Sequence, residues 1–139
     1  MTGDIEHLGS LLFVGLLAER RQRLFARDRL FLLAGVLAHG LSLPEIAAYC
    51  RSRILLHNRG HLVAQWPSIA DACGEENFVS LVRQVERRYG AERVERIAAS
   101  DDFEPARERL FYATDGEFAA AILGLAWEDL RREYRSGNL

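Results

Sequence analysis

Apolar and polar positions along the chain come in blocks, and within each block the apolar residues recur at helical spacing. Residues 8–17 and 30–37 are apolar on almost every side, whereas a helix on the surface of a domain usually has one apolar stripe. Each block is well short of the roughly 20 residues needed to cross a bilayer, so we expect buried helices and no membrane span. No segment alternates apolar and polar residues between turns, as a strand does. The pattern predicts an all-α protein.

The stretch from Ser42 to Trp66 carries the clearest helix signals. Residues 42–45 have the sequence Ser-Leu-Pro-Glu, in which serine is placed as N-cap and proline suits the first turn. The glutamate, three residues after the serine, would close a capping box. Residues 58–60, Asn-Arg-Gly, form a stop signal because glycine accepts the left-handed conformation that ends a helix. We therefore predict a helix that begins at Ser42 and ends before Gly60.

The second half of the chain predicts further helices of the same kind. Phe78, Val82 and Val85 lie on one stripe, which indicates a helix that packs on the core. The last helix is expected from Glu117 to about Arg135, and it is apolar over more than one stripe. A chain of 139 residues has the common length of one domain. We expect an all-α, single-domain helical bundle of about six or seven helices over residues 1–139.

Charge is distributed unevenly along the chain. All 18 basic residues are arginine; residues 1–66 hold eight of them against five acids, and residues 67–139 hold ten against fifteen. This asymmetry is compatible with head-to-tail self-association or with an anionic partner for the first half. The excess of positive charge in the first half is smaller than that expected of a nucleic-acid-binding protein. Five arginines between Arg20 and Arg29 are expected on an exposed helix face, with contact to an anionic surface as the alternative.

Histidine and cysteine near the middle of the chain give an alternative function. His57 and His61 are four residues apart, and Cys50 precedes His57 by seven, so one face would hold all three if the helix continued through Gly60. They would then bind zinc or haem, with Cys73 as a possible fourth ligand. In the simpler interpretation Cys50 packs in the core, His57 lies at a helix C-terminus, and no cofactor is bound.

The sequence contains few signals for nucleophilic catalysis or phosphate binding. A nucleophilic enzyme would need Cys50 or Cys73 beside a histidine and an orienting acid, and nothing fixes their proximity. Glycines occur as single helix stops and not as a phosphate-binding loop. We therefore expect no enzyme. No secretory signal precedes the two cysteines, so we expect a cytoplasmic protein.

Residues 43–47, Leu-Pro-Glu-Ile-Ala, resemble the first helix of a helix-turn-helix. That resemblance implies a nucleic-acid-binding regulator, with Arg51, Arg53 and Arg59 as phosphate contacts. A tight turn and a recognition helix should follow closely, but the helical pattern here continues through residues 51–56. Nucleic acid is therefore not the partner that we expect.

The function that we expect is non-enzymatic protein–protein interaction or assembly, with self-association into a homo-oligomer. The two nearly continuous apolar helices carry more apolar surface than one small core readily covers, and such surface tends to form interfaces. We expect the interface to include residues from both blocks, namely Leu12, Leu16, Phe31 and Leu33.

Overall fold

The computed structural model describes residues 3–134 and confirms the all-α prediction. Within these residues there is no strand, and nine α-helices and one 3-10 helix are present, seven of the α-helices with at least seven residues. That is slightly more than the six or seven helices predicted. The helices are α1 Asp4–Arg20, α2 Leu24–Gly40, α3 Pro44–His57, α4 Ile69–Ala72, α5 Glu76–Arg88, α6 Ala91–Ser100, α7 Pro105–Arg109, α8 Asp115–Ile122 and α9 Trp127–Glu133, with the 3-10 helix at Leu62–Gln65 between α3 and α4.

Helices α1, α2 and α3 form the centre of the fold, and the shorter helices pack around them. Helix α2 lies between α1 and α3, with α4 and α5 also against it, while α6, α7 and α8 pack on α1. Helix α9 contacts α3 and α8. Because α1 and α2 are covered from several sides, they can be apolar almost all round. Within residues 3–134 no helix combines the length and the hydropathy that a bilayer crossing requires.

The core is one cluster of buried side chains with three phenylalanines, Phe31, Phe78 and Phe118, fully inside it. Two glycines of α1 let the rings come close to the helix backbone. A Cβ atom at Gly15 would lie 2.6 Å from Cε1 of Phe31, and one at Gly9 would lie 2.5 Å from Cζ of Phe118. These contacts fix the positions of α2 and α8 against α1.

The predicted interface residues lie within this core. Leu12 and Phe31 are fully buried, Leu33 is buried, and Leu16 is partly buried against the same cluster. The apolar surface of α1 and α2 is thus covered by other helices of the same chain. The sequence pattern overestimated the exposed apolar area because it does not show that the helices after α3 pack on α1 and α2.

Two predicted helix boundaries were wrong. Ser42 does not cap α3: the N-cap is Leu43, and Ser42 has a φ of 60°. The single C-terminal helix predicted from Glu117 is two helices, α8 and α9, separated at Gly124, which has a φ of 74°. Its predicted end, Arg135, lies outside the described residues. The stop at residues 58–60 is confirmed, because α3 ends at His57.

Candidate functional site

A group of charges with a buried arginine and a buried aspartate at its centre joins α1, α2 and α3, where the chain was predicted to have an exposed arginine face. We call it the ion cluster, and it consists of Glu19, Arg27, Asp28, Arg53 and His57. The side chains of Arg27 and Asp28 are only 3% and 5% exposed, so the expectation of an exposed helix face is wrong for these two residues. Arg20, Arg21 and Arg23 do lie on the exposed surface, at the junction of α1 and α2.

Arg27 is the centre of the ion cluster. Its Nε donates to Oδ1 of Asp28 at 3.0 Å, its Nη1 donates to Glu19, and its Nη2 donates to the backbone carbonyl of Arg53 at 3.3 Å. The guanidinium carbon also lies 5.6 Å from the ring centroid of Phe31. Each nitrogen of this buried cation therefore has an acceptor, as burial of a charge requires.

Asp28 joins the arginine to a histidine. Its Oδ2 lies 2.5 Å from Nδ1 of His57, whose side chain is 20% exposed. A carboxylate at Nδ1 holds an imidazole in one orientation. The ring of Phe25 packs edge-on against His57, with the centroids 4.9 Å apart. Among residues 3–134 no other side chain hydrogen-bonds to His57, so the geometry supplies an oriented imidazole without a neighbouring nucleophile.

The three predicted metal or haem ligands have separate roles in the structure. Cys50 is fully buried on α3, and burial raises the pKa of its thiol far above the usual range. His61 lies beyond the helix end, where its Nδ1 accepts a hydrogen bond from the backbone amide of Val63 at 3.0 Å. His57 bonds to Asp28. Among the described residues, no three His, Cys, Asp or Glu side chains are grouped so that they could hold a metal ion.

Cys73, the candidate fourth ligand, follows α4 and belongs to no group of metal-ligating side chains among residues 3–134. Burial raises the pKa of its thiol. The three predicted phosphate contacts are also separate from one another. Arg51 donates to the backbone carbonyl of Trp66 at 2.8 Å, and Arg53 bonds to Glu19 at 3.4 Å. Only Arg59 of the three arginines is fully exposed. They do not form one basic face of α3.

Comparisons of the chain with protein-family models, with curated proteins and with solved structures find no match.

Beside the ion cluster, two large apolar side chains face solvent. Phe25 is 65% exposed at the start of α2, and Leu56 is 70% exposed at the end of α3. The ring of Phe25 contacts His57, and Leu56 directly precedes His57 in the sequence. We call this pair the Phe25 surface. Three arginines near these residues in sequence have no ion pair to any of residues 3–134: Arg23 and Arg29 near Phe25, and Arg59 near Leu56.

A second exposed apolar pair follows α7. Leu110 is 84% exposed and Phe111 is 73% exposed, and we call this pair the Phe111 surface. The adjacent Tyr112 lines one groove with Asp102 and Glu108 and a second groove with Glu117. Within residues 3–134 none of these three carboxylates has an arginine partner. Unpaired arginines are therefore the nearest charges along the chain to the Phe25 surface, while Leu56 also lines a groove with Asp129 and Glu133. Unpaired carboxylates predominate in the two grooves next to the Phe111 surface, one of which also contains Arg20.

Sequence reasoning missed both the ion cluster and the two surfaces. A signal for the cluster was available, because Asp28 and Arg27 precede Leu32 and Phe31 by four residues and so share the buried side of α2. A run of charges is usually solvated, and that expectation outweighed the spacing. Leu110 and Phe111 gave no comparable signal, since two adjacent apolar residues are equally consistent with a buried turn.

Proposed function

We propose that this chain is a non-enzymatic interaction module that associates with a second copy of itself. In the proposed contact, the Phe25 surface of one copy packs on the Phe111 surface of the next. The observation that carries the proposal is the pair of exposed apolar surfaces with opposite charge at their borders. Large apolar side chains normally face solvent singly, whereas Leu110 and Phe111 are adjacent in sequence and Phe25 and Leu56 both lie beside His57, the first by ring contact and the second in sequence.

Charge supports a contact between different surfaces over a contact of each surface with itself. If two Phe25 surfaces met, their unpaired arginines would repel each other, and the same holds for the carboxylates around two Phe111 surfaces. Packing one surface on the other brings Arg23, Arg29 and Arg59 toward Asp102, Glu108 and Glu117. Complementary charge of this kind selects the partner and its orientation more than it raises affinity. The apolar side chains supply the free energy of association.

A cytoplasmic location belongs to the same proposal. Cys50 and Cys73 are free thiols, and a reducing compartment keeps thiols in that state. Neither thiol is needed for the proposed contact, because Cys50 is buried in the core and Cys73 lies near α4, away from both surfaces in sequence.

The test is complementation between two variants. Leu56→Asp places a carboxylate in the Phe25 surface, and Phe111→Asp places one in the Phe111 surface; Gln84→Asp adds the same charge at an exposed polar position of α5. Sedimentation velocity should find the unchanged chain and Gln84→Asp associated, and both surface variants monomeric. An equimolar mixture of the two surface variants should form a 1:1 dimer, since one intact copy of each surface remains.

Three outcomes would contradict the proposal. The first is an unchanged chain that sediments as a monomer at high concentration. The second is association of Phe111→Asp alone, which would mean that the Phe25 surface binds itself. The third is a mixture of the surface variants that stays monomeric although circular dichroism finds both folded.

A further inference from the structure

A cleft of about 450 Å³ lies between the end of α2, the outer face of α3 and the start of α4. Its volume is within the range of small-molecule sites. It is separate from the ion cluster and from the two exposed surfaces. The walls are mainly apolar and consist of Pro44, Ala47, Ala48, Pro67, Ile69 and Ala70.

Arg51 supplies a positive charge at this cleft, with His39 as a second nitrogen donor at the exposed end of α2. No Asp or Glu among residues 3–134 lines the cleft, and none forms an ion pair with Arg51. The charge of Arg51 is therefore not compensated by a carboxylate of the described chain, in contrast to that of Arg27.

The guanidinium of Arg51 is also incompletely hydrogen-bonded. Nη2 donates to the carbonyl of Trp66 at 2.8 Å, which fixes the orientation of the group. Nε is buried and has no hydrogen-bond partner in the described structure. A buried donor without an acceptor is unfavourable, and a bound acceptor that reached the guanidinium would offset part of that cost.

The hydroxyl groups at the cleft are already engaged. Tyr134 donates to Oγ of Ser52 at 3.2 Å, and Ser52 in turn donates to the carbonyl of Tyr49 at 2.7 Å. The hydroxyl of Ser68 donates to Asp71 at 2.9 Å. The groups with free donor capacity are therefore the cationic arginine and the exposed His39.

We infer that this cleft binds a small organic carboxylate with an apolar body. The carboxylate meets the guanidinium of Arg51, whose planar fork suits it. The apolar body occupies the space between the proline, alanine and isoleucine side chains. The site is independent of self-association, and the two can fail separately.

Benzoate is the probe, and benzamide is its neutral analogue of the same shape. In a two-dimensional ¹H–¹⁵N NMR titration, benzoate should shift the Arg51 side-chain Nε–H signal and the backbone signals of Ala48 and Ile69. Benzamide should bind at least tenfold more weakly. Arg51→Gln removes the charge and should weaken benzoate at least tenfold, whereas Arg83→Gln, at an exposed arginine of α5 outside the cleft, should leave its affinity unchanged.

Several results would overturn this assignment. Benzamide could bind as tightly as benzoate, or Arg51→Gln could leave the affinity within twofold. Benzoate could shift no signal of the cleft. Inorganic phosphate could bind there more tightly than benzoate, which would mean that the apolar walls do not contribute to binding. If Arg51→Gln does not fold, the comparison of benzoate with benzamide on the unchanged chain decides.

Discussion

At the scale of single residues, His61 shows how a histidine predicted as a metal ligand can act as a helix cap. Its ring nitrogen Nδ1 accepts the amide hydrogen of Val63 and so caps the 3-10 helix Leu62–Gln65. An accepting Nδ1 carries no proton, so this contact needs the neutral ring. Burial lowers the pKa of His61, although the nearby carboxylate of Asp28 acts in the opposite direction.

His61 is therefore expected to make stability depend on pH. Because its pKa in the folded state is below the unfolded value of 6.5, the unfolded state binds more protons between these two values. Its contribution to the free energy of unfolding is then present above pH 6.5 and is lost as the pH falls toward the folded pKa. His61→Ala should cost about 1 kcal/mol at pH 7.5 through loss of the cap.

The matched variant is His61→Asn, which keeps a capping oxygen but does not titrate. Urea unfolding should find it close to the unchanged chain at pH 7.5 and less dependent on pH between 7.5 and 5. The pH dependence of stability that remains in His61→Asn is due partly to His7, whose pKa is also lowered by burial. Equal pH dependence in the unchanged chain and His61→Asn would contradict this account.

At the scale of helices, the ion cluster joins three of them through one buried carboxylate. Asp28 of α2 accepts from Arg27 of the same helix and contacts His57 of α3, while Arg27 reaches Glu19 of α1. Removing one member of a buried charge group is costly, because the partner charge stays buried without full compensation. The cluster therefore supports the relative positions of α1, α2 and α3 more than it supports any chemistry.

Asp28→Asn should lower the free energy of unfolding by about 3 kcal/mol. The amide keeps the size of the side chain but removes the charge that faces Arg27. The control is Asp129→Asn, which loses an exposed ion pair with Arg132 and should change stability by less than about 1 kcal/mol. Chemical denaturation at pH 7 compares the two. If both variants lost the same small amount, the charge of Asp28 would have no special role.

The helix ends show how far sequence reasoning reaches at this scale. Four helix termini share one hydrogen bond, from the amide after a residue with left-handed φ to the carbonyl five residues back, as in a Schellman motif. The residues with left-handed φ are Gln22, Ser42, Asp102 and Gly124.

Three of those four residues are not glycine, so a search for glycine stops does not find them. Ser42 was expected to begin α3, but its conformation ends α2, and the amide of Leu43 bonds to the carbonyl of Ala38 at 2.8 Å. The helical type of the elements followed from periodicity alone, whereas the number of helices among residues 3–134 is slightly larger than predicted. The ion cluster and the cleft did not, because both depend on which faces of distant helices meet.

At the scale of the whole molecule, the uneven charge of the chain becomes two separate surfaces. The excess of arginine in the first half includes Arg23, Arg29 and Arg59, which are near the Phe25 surface in sequence. The excess of acids in the second half includes the carboxylates that line the grooves with Tyr112, next to the Phe111 surface. A contact between unlike surfaces does not by itself close, so it can give rings or open chains unless a two-fold arrangement pairs both contacts at once. The stoichiometry of the unchanged chain distinguishes these forms.

Association through these surfaces should weaken as salt is added. The Debye length falls from about 10 Å at 0.1 M to about 3 Å at 1 M ionic strength, so attraction between the arginines and carboxylates is screened while the apolar contact remains. Sedimentation equilibrium should find the dissociation constant raised severalfold at 1 M sodium chloride. Removing the three arginines together, by Arg23→Gln, Arg29→Gln and Arg59→Gln, should abolish that salt dependence and raise the dissociation constant at 0.1 M. Tighter association at high salt in the unchanged chain would mean that apolar contacts alone hold the copies together.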